Sequence, residues 1–234
     1  MKPREQGFGL IELMLALTLG LLMSLALVQA FLGSKATYLS QRASANLQED
    51  ARFVLNKLAQ DIRMVGTFGC LAAVKDGSAT GDFAAAFYTP IRWVPDSQQL
   101  QLITSGVDSA QDPEWLIHTD CSTQATAYSA GNASGVQDMG AFRFAVQRQH
   151  YVFRPETTEL ALNGEALISN VSAFTVLFGV ARAATERSVS SYVPLPADPA
   201  LIRSVRITLT LSDPDDRVRA QSFSVVAALR NRLG

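Results

Sequence analysis

The 25 residues from Phe8 to Leu32 carry one charged side chain, Glu12, and this run constrains the chain more than any other stretch of its 234 residues. Thr18, Ser24 and Gln29 are its only other distinctly polar members. A helix needs roughly 20 apolar residues to cross a bilayer, so the run is long enough to span one. A charged leader with Lys2 and Arg4 precedes it and ends at Gly7. A cut after Gly7 leaves nearly all of the apolar run on the mature chain. An ordinary secretory signal is instead cut behind its apolar region and discarded.

Val28-Gln29-Ala30 supports the competing reading, a small-x-small cleavage site with Lys2 and Arg4 as its positive n-region and Phe31 as the new N-terminus. Glu12 weighs against it. An acid at mid-membrane costs on the order of 2.5–3.5 kcal/mol, and less near the interface. A discarded signal has no use for that cost.

Beyond the apolar run the pattern changes character. Leu47, Ala51, Val54, Leu58 and Ile62 recur at helical spacing as one stripe, while Gln48, Glu49, Asp50, Arg52, Asn56, Lys57, Gln60, Asp61 and Arg63 fill much of the other face. No Pro interrupts Phe8 to Val65, and Gly66 and Gly69 supply a stop. At 1.5 Å per residue this predicts a helix about 87 Å long. Its first half is buried in membrane or bundle, and its second half lies along a globular domain.

Residues 66–234 suffice for one domain with a proper core, and they read as β-rich. Val205 to Leu211 alternates apolar with polar, a turn follows at Ser212 to Asp216, and Phe223 to Val226 returns as the second arm of a hairpin. Further strands are predicted at 142–146, 150–153, 174–178, 100–103 and 115–117. Stretches 76–86, 122–135 and 181–191 read as loops, the last two long enough for variable or functional surface. The fold class is therefore α+β: a long N-terminal helix packed on an antiparallel sheet.

Charge excludes one class of partner. Lys and Arg total 20 against 21 acids, a net −1. Losing Lys2, Arg4 and Glu5 with the leader would shift this to −2. With no basic run or basic-aromatic patch beyond short clusters, no nucleic-acid partner is predicted. Arg230-Asn231-Arg232 reads as a solvated chain end.

Gly7-Phe8-Gly9-Leu10-Ile11-Glu12, with its basic leader and following apolar helix, resembles the prepilin peptidase site of type IV pilins and type II secretion pseudopilins. The resemblance implies cleavage between Gly7 and Phe8, N-methylation of Phe8, and filament assembly through the N-terminal helix. It also implies that Glu12 neutralises the new amine of a neighbouring subunit and so sets register. Gly69-Cys70 after the helix, Ser172-Ala173-Phe174, the Val205–Leu211 strand and the ending Leu229-Arg230-Asn231-Arg232-Leu233 narrow the resemblance to the PilW family of minor pilins, with the related minor pseudopilin J of type II secretion as the alternative. One departure is noted: many pilins carry a Pro within the apolar helix, and here Gly20 is only a mild weak point, costing about 1 kcal/mol relative to Ala.

On this reading residues 1–7 are leader, 8–33 the membrane and filament-core segment, 34–65 the amphipathic half and 66–234 the periplasmic pilin domain. The chain is expected to cross the inner membrane once with its C-terminal domain in the periplasm, then to enter the pilus at the cell surface. Expected partners are the prepilin peptidase, the major pilin, other minor pilins and a tip adhesin. Its role would be to start pilus assembly in a priming or tip subcomplex. A signal-bearing periplasmic domain that binds a ligand or acts on a substrate is the reading from a different class.

Cys70 and Cys121 fit an oxidising compartment, and a disulfide between them is expected, the alternative being two buried thiols. No enzyme is expected, and no cofactor or metal. His118, Asp120 and Cys121 stand close in sequence, but an extended strand would point His118 and Cys121 to opposite faces. Asp213, Asp215 and Asp216 offer oxygen ligands for calcium, yet without the EF-hand Gly and terminal Glu the run reads as a solvated turn.

Overall fold

The computed structural model describes residues 9–105, 113–131 and 142–230. Helix α1 runs Leu10–Met64 without a break. The chain divides into two units, residues 1–46 and 47–234, so the boundary falls inside the helix. In the first unit every side chain from Leu10 to Tyr38 is exposed.

The second unit begins with the amphipathic stripe. Leu47, Ala51, Val54, Leu58 and Ile62 are all buried, the last four with no exposure at all. The helix stops after Met64, where Gly66 takes φ +72° and donates its N–H to Ile103 O at 3.1 Å. Two sheets share the stripe. The larger is built from β1 (Lys75–Asp76), β2 (Ile91–Val94), β3 (Gln99–Ser105), β4 (Trp115–Thr119), β5 (Ala125–Ser129), β6 (Phe142–Arg154), β7 (Glu159–Leu162) and β8 (Glu165–Ile168). Its order is β1-β5-β4-β6-β3-β2, with β7 joining β6 to β8, and among the described residues only the short β1–β5 pair is parallel. The smaller sheet is antiparallel, in order β10-β9-β11-β12, from β9 (Val171–Val180), β10 (Ser191–Val193), β11 (Ile202–Leu211) and β12 (Gln221–Ala228). This is the α+β, pilin-like arrangement.

One core joins the stripe to Leu100, Leu102, Tyr151 and Phe153 of the larger sheet and to Phe178, Val205, Ile207 and Leu209 of the smaller. Each fully buried aliphatic or aromatic side chain contributes about 1.5–3 kcal/mol relative to exposure. A second cluster lies on helix α2 (Phe83–Tyr88), where Phe83 meets Trp115 edge-on at 5.8 Å and Phe68 at 5.6 Å. Gly69 belongs to this packing: its φ is +118°, and a Cβ there would lie 3.0 Å from the Phe144 ring.

Three sequence expectations change. The strands expected at 142–146 and 150–153 are one 13-residue strand, β6. The polar run between them misleads because Gln147 and Gln149 are buried and pair with Thr104 and Leu102 of β3. Stretch 122–135 contains β5, and stretch 76–86 leads into α2, whose small and aromatic residues pack the second cluster. Asp61 leaves the solvated face expected for it: it is buried, accepts a hydrogen bond from Tyr151 Oη at 2.5 Å and faces Lys57 Nζ at 3.1 Å.

Burial, then the charge of Asp61 and the hydrogen bond to it, push the Tyr151 hydroxyl well above its ordinary value of 10.0. Above pH 10 the unfolded phenol loses its proton while the folded one keeps it. The unfolded state then binds fewer protons, and stability falls by about 1.4 kcal/mol per pH unit. Tyr151→Phe should cost about 1–3 kcal/mol at neutral pH by leaving a buried carboxylate oxygen without its donor. That gap from the parent should narrow between pH 10 and 11 in urea titrations. A gap that stays constant across this window would contradict the assignment.

Candidate functional site: the apolar helix and its acid

Gly7 and Phe8, the expected cleavage and methylation residues, lie outside the described residues. The first described turn begins at Gly9, whose carbonyl accepts N–H bonds from Glu12 at 3.0 Å and Leu13 at 3.2 Å. This puts Glu12 in the first turn of α1, where a carboxylate meets the positive end of the helix dipole. The Glu12 side chain is exposed.

Around and beyond it the helix offers almost nothing but hydrocarbon. Leu10 and Ile11 are 78% and 79% exposed, and Leu13 to Leu32 includes thirteen more large apolar side chains above half exposure. Thr18 turns its hydroxyl back to Leu15 O at 2.9 Å, and Thr37 does the same to Gly33 O at 3.0 Å. A hydroxyl satisfied by its own helix makes no demand on the surroundings, which suits a segment in lipid. Nothing approaches within 4 Å of a Cβ placed at Gly20. Among the described residues α1 is the one helix long and apolar enough to span a membrane. A continuous apolar surface of this size does not persist in water, since monomers rarely expose apolar patches beyond a few hundred Å². Lipid or other apolar helices must cover it.

Residues 2–28 match the family model for the prokaryotic N-terminal methylation motif. The match supports a pilin-like protein. It is the signal carried by type IV pilins and pseudopilins, and it covers the leader, Gly7, Phe8, Glu12 and most of the apolar run. No curated protein matches the chain. The pilin-type signal and the exposed apolar helix agree on membrane anchoring through the N-terminus.

The remaining candidate residues sit elsewhere, in the globular unit. Cys70 and Cys121 form a disulfide, with Cα atoms 5.3 Å apart. It ties the segment after α1 to the β4–β5 connection, where Cys121 takes φ +56°. With its sulfur in that bond, Cys121 is no thiolate. Asp120 is spent on the same turn, accepting from the N–H groups of Gln124, Ser122 and Thr123 and from Thr123 Oγ1, and these bonds hold its carboxyl well below the usual carboxylate range. His118 is buried edge-on to Tyr128 at 5.5 Å. Burial and the charge of Arg143 lower its pKa, keeping the ring neutral. At the distal turn Asp213 accepts from Arg217 N at 2.7 Å and Asp215 pairs with the Arg217 guanidinium at 2.7 Å.

Two buried charged residues were not legible as such. Asp61 has the spacing of a surface i,i+4 partner of Lys57, and its nearest signal is its place between the stripe residues Leu58 and Ile62. Arg203 lies beside the alternating part of β11 and looks like any solvent-facing strand cation, yet it is 3% exposed.

The disulfide closes a loop spanning 51 residues, for which chain entropy predicts a stabilisation of roughly 4 kcal/mol. Replacing both cysteines by serine should therefore lower the melting temperature clearly and should abolish its dependence on reductant. A parent whose melting point ignores full reduction would remove this stabilising role.

Proposed function

We propose that this chain is a minor pilin of a type IV pilus, a structural subunit of the PilW kind rather than an enzyme. It joins other minor pilins in a priming or tip subcomplex that starts pilus assembly, and it meets the major pilin and a tip adhesin there. The reading rests on one observation: a methylation-type signal leads into a helix whose first half exposes hydrocarbon on every side and one acid in its first turn. The prepilin peptidase cuts between Gly7 and Phe8, and the new amine of Phe8 is methylated. The chain waits in the inner membrane with its globular unit in the periplasm, then leaves the bilayer for the filament.

Assembly exchanges lipid for neighbouring apolar helices, so hydrocarbon burial alone gives little axial preference. Charge supplies it. In a dry bundle an unpaired Glu12 or an unpaired Phe8 amine costs about 3–5 kcal/mol, so subunits slide until the two meet.

Two variants test these steps separately. Gly7→Val should leave the chain uncut in the inner membrane, because a small residue must fit the peptidase at the membrane surface. Mature protein of normal size from this variant would rule out the assigned cut.

Glu12→Ala should be inserted and cleaved like the parent, since it removes a charge from the apolar run, yet it should be depleted at least tenfold from sheared pili and from complexes with other minor pilins. Recovery equal to the parent would mean that Glu12 does not set the register.

A further inference from the structure

Arg203 is a buried cation with no carboxylate against it among the described residues. Its Nε donates to Glu186 O at 2.8 Å, Nη1 to Ala200 O at 2.8 Å and to Ile202 O at 3.3 Å, and Nη2 to Ala184 O at 2.8 Å. Burying an ion is costly, and a set of neutral carbonyls returns less than a carboxylate would. What this arrangement does accomplish is to hold two chain segments, 184–186 and 200–202, on one rigid planar fork. The loop between β9 and β10 is fixed further by Ala181 N–H to Leu201 O at 2.9 Å and Ser190 N–H to Val180 O at 2.8 Å. A Cβ at Gly179 would collide with Ser204 Oγ and press on Val189 at 3.0 Å, so the glycine lets this loop lie down on the sheet.

The clamped loop carries two arginines against one acid, a net positive charge. Arg182 and Arg187 are exposed, and among the described residues neither side chain has an ion-pair partner. The loop's acid, Glu186, accepts from the Arg182 backbone N–H at 3.3 Å, and the following acid, Asp198, caps Ala200 N–H at 2.8 Å. The sheet beside the loop carries no Asp or Glu in any of its four strands. The half-buried Arg206 lies over the Tyr192 ring at 4.0 Å. Beyond it the solvent side continues in hydroxyls, the row Thr175, Thr208 and Ser224 running across three strands. In a chain of net charge −1 this is a segregated positive, hydroxyl-bearing surface.

We propose that the loop 182–190, held by Arg203 as a positioning residue, is a preformed docking site for a carboxylate-rich segment of another protein. Arg182 and Arg187 meet the carboxylates, since an arginine fork matches their two oxygens, and the flat hydroxyl face receives the backbone beside them. Rigidity is the reason for the clamp: a loop already ordered loses less entropy on binding. Two arginines with no lysine run and little exposed aromatic surface fit a short acidic segment better than a nucleic acid. The proposal does not depend on the filament reading, and its test involves neither Gly7 nor Glu12.

The test uses the full chain in non-ionic detergent, with a fluorescein-labelled octaglutamate peptide as probe and anisotropy as readout. The parent should bind the peptide with an affinity that falls as salt rises. Arg182→Glu with Arg187→Glu should weaken binding more than tenfold at an unchanged melting temperature. Arg203→Met should weaken it several-fold and should open trypsin cleavage after Arg182 and Arg187 in the otherwise folded protein, a change that loss of charge alone would not produce. Equal binding by the double variant and the parent overturns the proposal, as does a parent that ignores the peptide. A single-stranded octanucleotide that binds more tightly than octaglutamate overturns the assignment to carboxylates.

Discussion

The buried stripe from Leu47 to Ile62 is the contact on which the globular unit depends, because both sheets close on it. Leu100, Leu102 and Tyr151 from one sheet and Val205, Ile207 and Leu209 from the other meet in the cluster that contains Val54, Leu58 and Ile62. Removing a side chain such as Leu58 would therefore open a cavity shared by three elements, which is the situation in which surrounding structure collapses least. The disulfide and the aromatic cluster at Phe68, Phe83 and Trp115 then fix the chain just after the helix. They keep the end of α1 and the first strands from drifting apart.

The same helix answers to two environments, and its sequence changes where the environment does. Up to Leu32 the large side chains are apolar on every side and exposed; from Leu47 the apolar ones keep to a stripe. Intrahelical hydrogen bonds satisfy the backbone identically in both halves, so the surroundings act only through the side chains. This division separates two roles. The apolar half fits membrane anchoring, with Glu12 its single charged side chain between Phe8 and Leu32. The stripe holds the β-rich unit against the second half of the helix.

How much of this was legible depended on whether neighbours in sequence were also neighbours in space. The stripe and the β11–β12 hairpin were readable because periodicity of 3.6 and of 2 reports directly on one buried face. The pilin-type signal was readable because its residues stand at fixed offsets in one short run of sequence. Strand β6 was misread as two, because the burial of Gln147 and Gln149 comes from β3, more than 40 residues earlier in the chain. Asp61 was misread for the same reason. Its partner Tyr151 stands 90 residues away, and no pattern around Asp61 announces it. Strand β5 hides in a run of small and polar residues, where Ala125 and Ala127 are buried because the second cluster lies over them.

Asp61 and Arg203 show two ways of keeping a buried charge, and the difference bears on what each can do. Asp61 is met by a cation and a hydroxyl, so its surroundings complete it and it specifies how α1 seats on the larger sheet. A buried group that can be satisfied in one alignment only is a register device, much as a polar residue is in a helical seam. Among the described residues Arg203 is met only by carbonyls, which carry no net charge, so it serves to hold chain segments together rather than to complete an ion pair. The loop it orders combines fixed geometry with a net positive charge next to an acid-free sheet. On the proposed reading, a helix that assembles through hydrocarbon has little means of choosing among partners with equally apolar helices. Selection would then fall to the globular unit, where a rigid charged loop can discriminate by repulsion as well as by attraction.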